Sequence, residues 1–112
     1  MVVASLRMRR LAEGVLDELE LVLDMWADQI DRRAPLSAHS VASIDALLAA
    51  ARRVASREAG VGLLLVLPRT ATVLPADAVI RLLAAQHLLL AFVRRHGSLS
   101  EAGEIAWHEG AD

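Results

Sequence analysis

Six carboxylates near the start of the chain, Glu13, Asp17, Glu20, Asp24, Asp28 and Asp31, recur at spacings of 4, 3, 4, 4 and 3. On an α-helix these spacings gather the whole set within about 80° of azimuth. A stripe of this kind keeps an apolar helix solvated, and it is also a candidate docking surface for a basic partner segment. Like charges at i, i+4 destabilise an isolated helix by roughly 0.2–0.5 kcal/mol per pair, so a positive partner relieves that repulsion. One source of positive charge is internal, because residues 34–97 carry seven Arg against three acids.

Glu18 falls outside this stripe. With Leu21 and Met25 counted into the apolar band, it sits at the angular centre of that band. A carboxylate there is expected to be paired, hydrogen-bonded or neutral. Arg52, Arg53, Arg81 and His87 are its candidate partners, and Glu18 with His87 forms the candidate buried polar pair. Its simplest role is a salt bridge between helices or subunits that fixes register. The same pair is also the core of an alternative reading, a small helical ligand-binding or enzymatic bundle.

Metal chemistry finds little support. The chain has no Cys, which removes thiolate ligands and thiol nucleophiles. Glu104 and His108 would share a helical face, but Glu-x-x-His and His-Glu-x-x-His are both absent, so neither a di-iron bundle nor a zinc helix is encoded. Gly60-Val61-Gly62 is too short for a phosphate loop, and no Gly-x-Ser-x-Gly nucleophile elbow occurs. No catalytic, cofactor-binding or metal-ligating set is expected. Leu90 to Ala106, with Arg94 to Ala102 inside it, has the form of the entry of a helix-turn-helix, which keeps a transcription-related regulator as a third reading. The acidic residues that follow, the net charge of −2 and the pI near 6.1 make a nucleic-acid partner unexpected.

The elements that would position these residues are helical. Leu11, Val15, Leu19, Val22, Trp26 and Ile30 recur at helical spacing in a band of about 100°, predicting a first helix over about 5–33 that stops before Pro35. Ser37 or Ser40 caps a second helix, 37–59, which Gly60 ends. Pro75 and Asp77 open a third, 76–96, which is apolar almost all round. Ser98-Leu99-Ser100-Glu101 reads as a capping box for a short helix over 99–108. Between the second and third helices, Leu63 to Leu67 favours a short helical turn followed by an extended loop, with a short hairpin at 62–74 as the alternative. The fold class is therefore all-α: a compact bundle of three major helices plus two short ones, in a single domain over 1–112.

At 112 residues the chain suits one domain with a genuine core. Its mean hydropathy of +0.43, with 55% hydrophobic residues, is high for that size. The longest uncharged stretch, Leu82 to Val93, has 12 residues against the roughly 20 a membrane span needs. The N-terminus is apolar before it is basic, the reverse of a secretory signal, so a cytoplasmic location is expected. All 12 basic residues are Arg and Asn is missing, a composition typical of GC-rich bacterial genomes. A first helix of roughly 43 Å at 1.5 Å per residue, beside a third helix apolar on every side, offers more apolar surface than three helices cover. The sequence thus predicts a homodimer, formed symmetrically through the first or third helix. The expected function is a non-enzymatic protein-interaction module: a regulator, adaptor or chaperone-like subunit.

Overall fold

The computed structural model describes residues 5–55, 65–67 and 72–108. Helix α1, Leu6–Ala27, begins where the Ser5 Oγ accepts from the Met8 amide at 3.1 Å. This satisfies one of the orphan donors of its first turn. Ala12, Val15, Leu19 and Leu23 form its buried stripe. Helix α2, Ala38–Val54, is capped in the same way, with the Ser37 Oγ accepting from the Ser40 amide at 3.1 Å. It buries Ile44, Leu47, Leu48, Ala51 and Val54. Helix α3, Pro75–His96, has Pro at its first position, where the missing N–H costs nothing. The Leu74 amide donates to the Asp77 Oδ2 at 3.0 Å across its first turn.

Each of the three helices packs against the other two. The innermost side chains are Leu19 from α1, Leu48 from α2, Leu82, Leu89 and Val93 from α3, and Leu65 from the segment between α2 and α3. By length and composition α3 also meets the requirement for a bilayer span, yet its inner face is part of this core.

The second helix ends at Val54, not at 59, with Ala55 as its C-cap, and Gly60 lies outside the described residues. Two further boundaries depart from the sequence expectation. The first helix ends at Ala27, not at 33, and the chain continues in turns bonded from Gln29 to Trp26, Ile30 to Ala27 and Arg32 to Gln29. No basic residue lies in its last turn, while Asp24, Asp28 and Asp31 crowd the negative end of the helix dipole, so its continuation is disfavoured. Second, residues 99–108 are not helical. They form an antiparallel hairpin of β1, Gly97–Leu99, and β2, Ile105–Trp107, with Ser98 opposite Ala106.

The hairpin loop explains that outcome. The Ser100 amide donates to the Glu104 carbonyl at 2.9 Å, the Gly103 amide to the Ser100 carbonyl at 3.0 Å, and Gly103 has φ 85°. A three-residue loop with glycine in the left-handed region is a standard hairpin closure. Ser100 contributes its Oγ to the Glu104 amide at 3.0 Å, so its capping capacity closes the loop and starts no helix. Among the described residues α3 is therefore followed by a hairpin and not by the second helix that a helix-turn-helix would place there.

In the segment before α3, the hairpin alternative at 62–74 falls largely on residues outside the described set. Of those described, Leu65 and Leu67 are buried, and residues 72–74 lead into α3 without helix or strand structure. The Leu36 amide donates to the Val73 carbonyl at 2.8 Å and ties this connection to the one between α1 and α2.

Candidate interaction surfaces

Three mutually packed helices leave three grooves on the outside of the bundle. Over the α1/α3 groove lies the hairpin, held by Trp107. Its Nε1 donates to the Glu13 Oε1 at 2.7 Å, its ring meets Phe92 edge-on at 5.9 Å, and the Arg9 guanidinium sits 5.9 Å from the ring centroid. Arg9 also donates from Nη2 to the His108 carbonyl at 2.9 Å. Gly97 lets the two strands approach, because a Cβ there would lie 2.5 Å from the Ala106 carbonyl oxygen.

Bridging α2 and α3 is the Leu65–Leu67 segment. Arg52 of α2 donates to the Leu65 carbonyl, and Arg81 of α3 donates to the Val66 carbonyl at 2.8 Å. Between α1 and α2 a groove of about 380 Å³ stays open, with Arg10, Gly14 and Glu18 of α1 facing Ser43, Ala46 and Ala50 of α2.

The acidic stripe survives only in part. Asp17, Glu20 and Asp24 are exposed on the outer face of α1. Glu13 is half-buried and committed to Trp107. Asp28 is the C-cap of α1, and Asp31 lies in the turn beyond it, so neither continues the helical face.

Glu18 and His87 do not form a buried pair. Both are exposed, and no charged or polar residue is buried among the described residues. The reason is angular: the buried stripe of α1 centres on Val15 and Leu19, and Glu18 lies about 100° away from it. Leu21 and Met25, which made Glu18 look central, are 68% and 60% exposed and belong to the outside. Of its other candidate partners, Arg52 and Arg81 are engaged by the carbonyls of the 65–67 segment, and Arg53 is exposed at the end of α2.

His87 lies on the outward face of α3. That face also carries Ile80 and Leu83, 54% and 50% exposed, with half-buried Leu90. Ala76, Ile80, Leu83, His87, Leu90 and Arg94 follow one another at steps of 4, 3, 4, 3 and 4, the spacing of a helix-pairing seam. Among the described residues no three His, Asp or Glu side chains converge on a point that could hold a metal ion. The chain matches no protein-family model, no curated protein and no solved structure.

Sequence reasoning missed Trp107 and Arg9, the residues that fasten the hairpin to α1. The signal was present: Ser100-Glu101-Ala102-Gly103-Glu104 between Leu99 and Ile105 has a glycine at the third loop position, where a hairpin needs it.

Proposed function

We propose that the protein is a non-enzymatic helical interaction module, a regulator, adaptor or chaperone-like subunit that binds another protein by helix packing on the outward face of α3. One observation carries this reading: a helix central to the bundle core presents Ile80, Leu83 and Leu90 to the outside at pairing-seam spacing. A partner helix laid along that seam removes the apolar side chains from water, each worth up to about 1.5–3 kcal/mol when fully buried. The absence of buried polar or charged side chains among the described residues is consistent with a scaffold whose activity lies on its surface. The exposed carboxylates Asp17, Glu20 and Asp24 then serve as the solvated face that offsets this apolar surface.

The test is site-specific photocrosslinking in the native host. A photoreactive residue at position 83 is expected to give a discrete adduct with a different protein, and one at the exposed Asp45 position of α2 is expected to give none. Adding Ile80→Asp should abolish the adduct at 83 while circular dichroism stays native. An adduct that survives Ile80→Asp, or equal labelling from both positions, refutes α3 as the docking face.

A further inference from the structure

Gly14 is in the middle of α1, exposed, and a Cβ added there meets nothing within 4 Å. Nothing inside the described chain therefore requires glycine, the poorest helix former after proline. It does sit in the open α1/α2 groove, and the groove's two charged residues flank it. Arg10 is one turn before it and Glu18 one turn after. Eight residues apart on a helix, these two lie about 12 Å from each other along the axis, too far to pair within one chain.

We propose that a second copy of this chain docks in the α1/α2 groove, its α1 crossing antiparallel over Gly14. A two-fold axis beside residue 14 sets Arg10 against Glu18 of the partner subunit, and Glu18 against Arg10 of the partner subunit. The charge pattern is thus self-complementary in the antiparallel sense, whereas a parallel crossing sets like charge on like. Glycine at the crossing point lets the two backbones come close, and the small Ser43, Ala46 and Ala50 of α2 leave room for the incoming helix.

The same face of α1 continues the fit. Arg7, Leu11, Gly14, Glu18, Leu21 and Met25 follow at steps of 4, 3, 4, 3 and 4, the spacing of an interhelix seam. With the axis at residue 14, exposed Leu21 covers the aliphatic stem of Arg7 of the partner subunit, which burial within the single chain does not provide. The arrangement is isologous and closes at two copies.

This inference shares with the reading above only the premise that the protein works through surfaces, and the two surfaces are separable by mutation. Sedimentation equilibrium and light scattering on the full chain at 1–100 µM provide the test, with that range spanning about two decades around a micromolar affinity. The wild-type chain is expected at twice its 12.1 kDa mass. Arg10→Glu and Glu18→Arg should each raise the dissociation constant at least about tenfold, and the double exchange should restore the dimer, because it recreates the pair with reversed sign. Gly14→Leu should give a folded monomer, with circular dichroism as the control. A monomeric wild type overturns the proposal. So does a dimer indifferent to both single charge changes, a double exchange that fails to recover, or a dimer dissolved by Ile80→Asp. Only the last of these outcomes bears on crosslinking from position 83, since it would make the α3 face the contact between copies; the others leave that test untouched.

Discussion

Removing the indole N–H of Trp107 tests whether the hairpin is fastened to α1 as described. The bond to Glu13 spans 2.7 Å and has a charged acceptor, a class worth about 1.5–3 kcal/mol when well shielded. Both side chains are only half-buried, so water competes and the contribution falls to or below the lower end of that range, about 1–1.5 kcal/mol. Trp107→Phe keeps an aromatic ring for Phe92 and Arg9 but has no donor. Glu13→Ala removes the acceptor, and Glu13→Gln keeps an uncharged one. In a double-mutant cycle the two deletions should couple by about 1 kcal/mol, with Glu13→Gln losing roughly half as much as Glu13→Ala. At a urea slope of about 1–1.5 kcal/mol/M for a chain of this size, each deletion should lower the unfolding midpoint by roughly 1 M. Far-UV circular dichroism is the appropriate readout, since Trp107 is itself one of the two tryptophan fluorophores. Additivity of the two deletions within about 0.3 kcal/mol would refute the bond as an energetic link between the hairpin and α1.

Two further outcomes follow from the same geometry. Gly97→Ala places a methyl group 2.5 Å from the Ala106 carbonyl oxygen, a backbone atom that cannot swing aside, so about 1–3 kcal/mol should be lost and amide protection at Ile105–Trp107 should collapse while α2 persists. Leu19→Ala and Leu82→Ala, both at fully buried sites, should each cost about 2–5 kcal/mol in denaturant unfolding, whereas Leu21→Ala on the open face of α1 should stay within about 0.5 kcal/mol.

The helices were legible where a single physical signal dominates. Ser37, one of the two serines that could cap the second helix, and Pro75 mark helix starts by local chemistry alone, and the structure places both at or beside the first residue of a helix. The apolar periodicity through Leu11, Val15, Leu19 and Val22 found the inner face of α1, where Val15 and Leu19 are buried. It could not find the edge of that face, because Leu21 and Met25 are as apolar as the core residues, and only the positions of α2 and α3 decide which of them are covered. Glu18 was misplaced for that reason.

The C-terminal segment failed differently. Ser98-Leu99-Ser100-Glu101 satisfies a helix-capping pattern and also leads into a hairpin loop, and the pattern is local. Gly103 supplies the local preference for the hairpin, and contacts about 94–99 residues away, Trp107 with Glu13 and Arg9 with His108, add to it from outside the segment. Nothing in its own sequence neighbourhood sets Glu13 apart from the other five carboxylates of the stripe.

The lock on the Leu65–Leu67 segment is built unlike the one on the hairpin. Arg52 and Arg81 reach main-chain carbonyls, an acceptor every residue type supplies and one that neither titrates nor carries a net charge. Substitution at positions 65–67 therefore leaves these bonds intact as long as the side chains remain apolar enough for burial. Added salt should weaken them far less than it weakens an ion pair. The polar information for this junction resides in two guanidinium groups, so apolar exchanges at positions 65 and 67 leave the junction's hydrogen bonds in place while replacement of Arg52 or Arg81 does not. An exchange of either for lysine keeps the charge but loses the planar fork that reaches the backbone.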